Sequence, residues 1–345
     1  MSEPGASKLK QNQKAWREHE FVPHPLLKNA HLMTIVPGFL PRQNPRQFCQ
    51  SGKRRLFHVS NDAKLLGYTH FHDRKEPTVI VLHGLEGSAE SSHVQGIGFK
   101  CFKRGFNVVR LNMRNCGGSM QYARTLYNAG MWQDLLAVMQ ILHKEDGLDE
   151  FILAGYSLGG NLVLNLAARM DAGQGFRIKA SCAVSPSIDL AHAVKAIEKP
   201  QNKVYQDWFL RTLKKKILAK SQQFPDVYNP AGLDEVVTIR EFDDRFTAPS
   251  GGYGNADRYY KEASSYAVLT QIDSPTLVIA AEDDPLVPVD SFSGIAEKNS
   301  NIELLITKHG GHGGFLQSRP ETDSHFDHFW AENRVVAFIV EVSRR

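Results

Sequence analysis

Cysteine is scarce. The 345 residues hold four, Cys49, Cys101, Cys116 and Cys182, without C-x-x-C spacing, which excludes a disulfide framework and a cysteine zinc site and suits a reducing compartment. Long apolar runs are missing too, and none approaches the roughly 18 residues needed to cross a bilayer. The first twenty residues are too polar for a signal peptide, so a soluble cytoplasmic protein without a transmembrane segment is expected. Nor does one sign of charge dominate. Lys and Arg number 41 against 37 Asp and Glu, a net +4, too small an excess to predict nucleic-acid binding. Basic charge gathers only locally, at Lys214, Lys215 and Lys216 and in the polar N-terminal stretch.

What is present reads as one large α/β domain, with 42% hydrophobic and 23% charged residues, ordinary values for a globular protein. Residues 1–23 are expected to be a flexible leader and 24–345 the folded domain. Residues 24–41 interleave prolines with Leu26, Leu27, Leu32, Met33, Ile35, Val36 and Phe39, which predicts an irregular segment packed on the body. Two β-prone stretches follow, 55–60 and 65–71, with Asn61-Asp62 as their turn. From Pro77 the pattern alternates. Strands are predicted at 78–82, 107–113, 151–154 and 180–184, with helices at 92–103, 131–144 and 161–170 between and after them. The rhythm resumes with strands at 276–280 and 302–306 and helices at 290–298 and 330–342. Such alternation implies a mostly parallel sheet with helices on both faces.

The interruption at about 189–270 is helical and aromatic in pattern. Val204, Trp208, Phe209, Leu213 and Ile217 recur at helical spacing with lysines between them, consistent with a lid, a membrane-surface helix or a solvated helix with one buried stripe. Its position, interrupting the sheet between the nucleophile strand and the remaining strands, favours a lid, because loops on that side of open α/β sheets build active sites.

Gly155-Tyr156-Ser157-Leu158-Gly159 is a G-x-S-x-G pentapeptide between a strand and a helix. In that context the serine sits on a sharp turn that exposes its hydroxyl as a nucleophile. A serine hydroxyl needs a base and a carboxylate to orient that base. Of the later histidines, His192, His309, His312, His325 and His328, His312 stands out in H-G-G-H-G-G-F directly after the last predicted strand. His325 and His328 read as surface or core residues. His309 and His312 lack a third ligand at suitable spacing for a metal, and no cofactor is called for. The acid is sought just past the 276–280 strand, where Asp284 is favoured and Asp283 is the near alternative. Asp189 is a weaker candidate, and Asp243 and Asp244 are read as lid structure. An oxyanion hole would draw on the backbone N–H of Leu158 and of Leu85, the latter in the loop His83-Gly84-Leu85-Glu86-Gly87-Ser88. His83 itself is expected to tie that loop down.

Taken together, H-G-L-E-G-S at 83–88, G-Y-S-L-G-G-N at 155–161, R-E-F-D-D at 240–244, D-D-P at 283–285 and H-G-G-H-G-G-F at 309–315 resemble the YheT-like α/β-hydrolases, AB hydrolase family 4. The resemblance runs from about His24 to the C-terminus. It implies an α/β-hydrolase fold with a helical lid and a cytoplasmic esterase or lipase-like activity, with Ser157, Asp284 and His312 as charge-relay residues. The aromatic, apolar insertion points to a small-molecule or lipid-like ester substrate with a hydrophobic acyl or alcohol part. Thioesterase, phospholipase or acyltransferase chemistry could use the same triad, and a non-catalytic binding protein is a further alternative.

Overall fold

A computed structural model of the chain describes residues 19–42, 45–72, 75–320, 323 and 326–344. Eight strands form one sheet in the order β1-β2-β4-β3-β5-β6-β7-β8. The first two, β1 (Lys53–Ser60) and β2 (Ala63–His70), pair as an antiparallel hairpin, and β2 is also antiparallel to β4 (Asn107–Leu111). All remaining pairings are parallel, through β3 (Thr78–Leu82), β5 (Glu150–Tyr156), β6 (Arg177–Val184), β7 (Thr276–Ala281) and β8 (Ile302–Thr307). This is the expected fold class.

The two-residue period of a strand divides the core. In β3, Val79 and Val81 join Ile97 and Val335 from the helices Ser92–Lys103 and Trp330–Ser343 on one face. Ile80 and Leu82 point the other way, into a cluster with Val138 and Leu162 from the helices Trp132–Asp146 and Leu158–Arg169. All five residues of β3 are buried, which is why the strand reads as a continuous apolar run.

Three local expectations are revised. Residues 30–39 are helical rather than irregular, because the Asn29 side chain caps the helix by accepting from the N–H groups of His31 and Leu32 at 3.0 and 3.1 Å. The helix expected at 290–298 is broken into a turn at Val289–Phe292 and a short helix at Ile295–Lys298, with Gly294 at φ 69° between them. Residues 1–18 of the expected leader lie outside the described residues, whereas 19–23 pack on the body. There the Trp330 indole donates to the His19 carbonyl at 2.8 Å, and Phe21 is buried against the Phe315 and Trp330 rings.

Between β6 and β7 the chain leaves the sheet for the helices Leu190–Ile197, Lys203–Gln223, Ile239–Phe242 and Ala256–Ala263. The anticipated stripe of Lys203–Gln223 divides by depth. Leu213 and Ile217 are buried, whereas Val204 and Trp208 are exposed. The lysine cluster divides as well: Lys215 is exposed and Lys216 is buried. No described helix is long and apolar enough to cross a membrane.

A buried ionic cluster ties three remote segments together. Lys100 Nζ lies 2.7 Å from Asp327 Oδ1 and 2.9 Å from Glu332 Oε2, and Arg42 pairs with the other Glu332 oxygen at 2.8 Å. Lys100→Met would strip a partner from two buried carboxylates, which typically costs about 3–5 kcal/mol. A urea denaturation midpoint lowered to match is the expected result. Three buried imidazoles set the acid limit. Burial pushes His70 and His83 down to about 4 and His93 to about 3. Between those values and the unfolded value near 6.5, the unfolded chain binds more protons. The imidazoles' contribution to stability is therefore full above that value and is lost as pH drops toward 4. The measurement is the denaturation midpoint against pH, where His70→Phe should flatten the acid limb by about 1–3 kcal/mol.

Candidate active site

The turn after β5 is formed by steric exclusion. A Cβ at Gly155 would collide with the Gly159 carbonyl, and one at Gly159 with the His83 carbonyl, so only glycine lets strand, helix and neighbouring loop approach this closely. Ser157 is held at φ 52° and ψ −120°, a conformation costly for a residue with a side chain. Its backbone N–H donates to the Val184 carbonyl at 2.9 Å, and its own carbonyl accepts from Asn161 at 3.0 Å. The side chain is only partly buried and faces two cavities.

Past the end of β7, the Asp284 carboxylate meets His312. His312 Nδ1 lies 2.9 Å from Oδ2 and 3.1 Å from Oδ1. The backbone N–H groups of Leu286 and Val287 donate to Asp284 Oδ1 at 2.8 and 3.0 Å, so the carboxylate is fixed before it orients the ring. Asp284 is nearly inaccessible, with 2% of its side chain exposed, against 15% for His312. Asp283 points elsewhere, accepting from Gly311 N–H at 2.9 Å and facing His309 Nδ1 at 3.4 Å. Asp189 caps the Leu190–Ile197 helix. Asp244 accepts from Ala256 N–H, while buried Asp243, pushed up to about 6 by desolvation, accepts from the Tyr260 hydroxyl at 2.8 Å. His328 bonds the Gln317 carbonyl and His192 the Ser291 hydroxyl; His325 lies outside the described residues.

Residues 83–88 lie across the serine. A Cβ placed on Gly84 would stand 3.1 Å from Ser157 Cβ and 3.7 Å from its Oγ. This close approach brings Leu85 beside the serine, and both line both cavities. His83 anchors the loop. Its Nε2 accepts from Met113 N–H at 3.1 Å and its Nδ1 lies 2.7 Å from the Gly84 carbonyl, which requires the proton to sit on Nδ1. Backbone strain gathers here as well, since Glu86, Ser157, Ser185 and Phe315 all have positive φ.

Two supports of the histidine loop were invisible in the sequence. The Thr34 hydroxyl accepts from His312 N–H at 2.9 Å, and Ser185 Oγ accepts from Gly313 N–H at 3.1 Å. Thr34 is 278 residues from His312, and no local pattern marks such a partner.

The cavities differ in character. One, about 750 Å³ counted to its open mouth, runs beneath the helices inserted after β6 and is lined by Leu190, Val194, Ile197, Leu213 and Ile239, with Asp243 and Thr247 among its polar walls. The other, about 1320 Å³ counted to its open mouth, lies between the Ala30–Phe39 and Lys203–Gln223 helices, with Ile35, Phe39, Tyr205 and Trp208 on its walls. Ser157, His312, Leu85, Phe209 and Leu286 belong to both. Among the described residues, no group of three or more His, Cys, Asp or Glu side chains could hold a metal ion.

The family model of the α/β-hydrolase fold matches residues 77–318. YheT of Escherichia coli, provisionally named an esterase, is 33% identical over 86% of this chain and 87% of its own length. A monoacylglycerol lipase of Saccharomyces cerevisiae is 30% identical over 83% of this chain, which spans 64% of that protein. Among solved structures, the Pyrococcus furiosus esterase Pf2001 superposes with a TM-score of 0.56 at 19% identity, covering 88% of this chain and 97% of its own. By sheet order, family match and relatives, the chain belongs to the α/β-hydrolase family, in its YheT-like branch.

Proposed function

We propose that the protein is a serine hydrolase that cleaves carboxylic esters with a hydrophobic part through an acyl-enzyme on Ser157. The carrying observation is the convergence of three separate loops: Ser157 and His312 share both cavities, and His312 is held by an anchored Asp284. With Nδ1–H donated to Asp284, Nε2 of His312 is the free base that takes the Ser157 proton as Oγ attacks the ester carbonyl. The negative oxygen that develops is stabilised by the N–H groups of Leu158 and Leu85. Protonated His312 then delivers its proton to the departing alcohol. Water, deprotonated by the same ring, releases the acid. Asp284 stays ionised throughout and stabilises the imidazolium.

The apolar inner cavity fits a hydrocarbon acyl chain, and the wider cleft fits the alcohol portion of a lipid-like ester. The naming of a yeast relative as a monoacylglycerol lipase supports this substrate class. The helices over the inner cavity serve as its lid. The four free cysteines suit a reducing, cytoplasmic setting.

A fluorophosphonate probe should label the wild type and leave Ser157→Ala unlabelled. An unlabelled wild type, or p-nitrophenyl ester hydrolysis undiminished in Ser157→Ala, would sink the assignment. Asp284→Asn is expected to lower kcat about 10⁴-fold, whereas Asp283→Asn should leave kcat within a few-fold. Both are read from steady-state kinetics on one ester. Val194→Trp, which fills the inner cavity, should suppress turnover of long-chain p-nitrophenyl esters while sparing the acetate.

A further inference from the structure

The residue that follows Leu85 is held by a helix of the segment inserted between β6 and β7, the cap over the inner cavity. Glu86 adopts φ 56°, in a turn closed by the Gly87 N–H donating to the Gly84 carbonyl at 3.1 Å. Its backbone N–H donates to the Tyr127 hydroxyl at 2.9 Å, and that hydroxyl donates back to Glu86 Oε1 at 2.7 Å. The same carboxylate oxygen lies 2.5 Å from Lys216 Nζ. Lys216 comes from the Lys203–Gln223 helix, 130 residues further along the chain. The ammonium also stands 4.5 Å from the Tyr127 ring centroid and 3.6 Å from Cys116 Sγ. Side chains of Glu86 and Lys216 are each 7% exposed, and Tyr127 is buried.

A buried ion pair is a poor device for holding two elements together, because apolar residues of the same volume usually do so at least as well. What the pair supplies is direction. Oxygen Oε1 is fixed by Lys216 and Tyr127, and the backbone of Glu86 by the same tyrosine, so the left-handed turn cannot relax without breaking all three contacts. That turn follows Gly84, which lies against Ser157, and Leu85, whose N–H serves the proposed oxyanion hole. Lys216 also neutralises a carboxylate that would otherwise oppose the negative charge developing on the oxygen bound by the adjacent Leu85 amide.

We infer that Glu86, Tyr127 and Lys216 are positioning residues, a clamp through which the cap helix sets the Leu85 N–H, coupling cap seating to oxyanion stabilisation. The inference rests on the acyl-transfer reading of Ser157. Movement of Lys203–Gln223 away from the body would withdraw the counter-ion of Glu86, so the hole is complete only under a seated cap. Neither Glu86 nor Lys216 touches the reacting atoms.

The test uses the full-length chain, with active sites counted by fluorophosphonate labelling. In Lys216→Met, kcat per labelled site should fall about 10- to 100-fold, less than the 10²–10³ typical of losing a donor outright, with KM changed no more than about threefold. Affinity for an alkyl boronic acid, which mimics the tetrahedral oxyanion when bound to the serine, should fall by a similar factor. Lys216→Arg should restore most of both. Tyr127→Phe keeps the ring and loses both hydrogen bonds, and should reproduce the kcat and boronate losses even if Lys216→Met fails to fold. Adding Glu86→Gln to Lys216→Met should cost less than the two single changes combined. Unchanged kcat per site and boronate affinity in Tyr127→Phe would overturn the clamp and leave only a structural brace. A wild type that takes no label would overturn the Ser157 reading, and the clamp with it.

Discussion

The close approach of β5, the Leu158–Arg169 helix and the loop after β3 is the constraint on which the rest depends. With carbonyls of His83 and Gly159 occupying the space where side chains would otherwise stand at Gly159 and Gly155, three backbone segments meet around one serine. Burial on both sheet faces makes that meeting rigid, because β3 and β5 pack against helices above and below and cannot shift to relieve the strain at Ser157. A strained, partly buried serine inside a stiff frame is the arrangement expected of a nucleophile elbow.

The other parts arrive from outside that frame. Asp284 follows β7 and His312 lies beyond β8; the carboxylate is held by the amides of Leu286 and Val287 just after it, whereas the histidine loop is held by hydroxyls from remote segments. Thr34, in the helix before the sheet begins, and Ser185, at the end of β6, both accept N–H groups of the histidine loop. The N-terminal segment thus shapes the site as well as covering the core. Lys216 does the corresponding work from the cap side. The loop bearing Leu85 is therefore gripped at its start by buried His83 and at its turn by Glu86.

The lysine cluster illustrates why some of this was not readable. Lys214, Lys215 and Lys216 are equivalent as sequence, a charged run that suggests a solvated face or an anionic ligand. On the helix they diverge by 100° per residue, and only Lys216 turns inward to a carboxylate. Residues 24–41 failed for another reason: their prolines signal irregularity, but Asn29 caps a helix that runs through Pro37 and ends two residues later.

By itself, the sequence determined the fold class, the strand and helix rhythm, the serine elbow and the candidate acid and base. Those are written locally, as periodicity, glycine spacing and chain order, and local sterics act on neighbouring residues. Only the tertiary structure separates Asp283 from Asp284, which differ by one position and face different histidines. It likewise decided that Thr34 supports His312 and that Lys216 holds Glu86. Such contacts join segments more than a hundred residues apart, and their geometry exists only once the sheet has brought its loops to one edge.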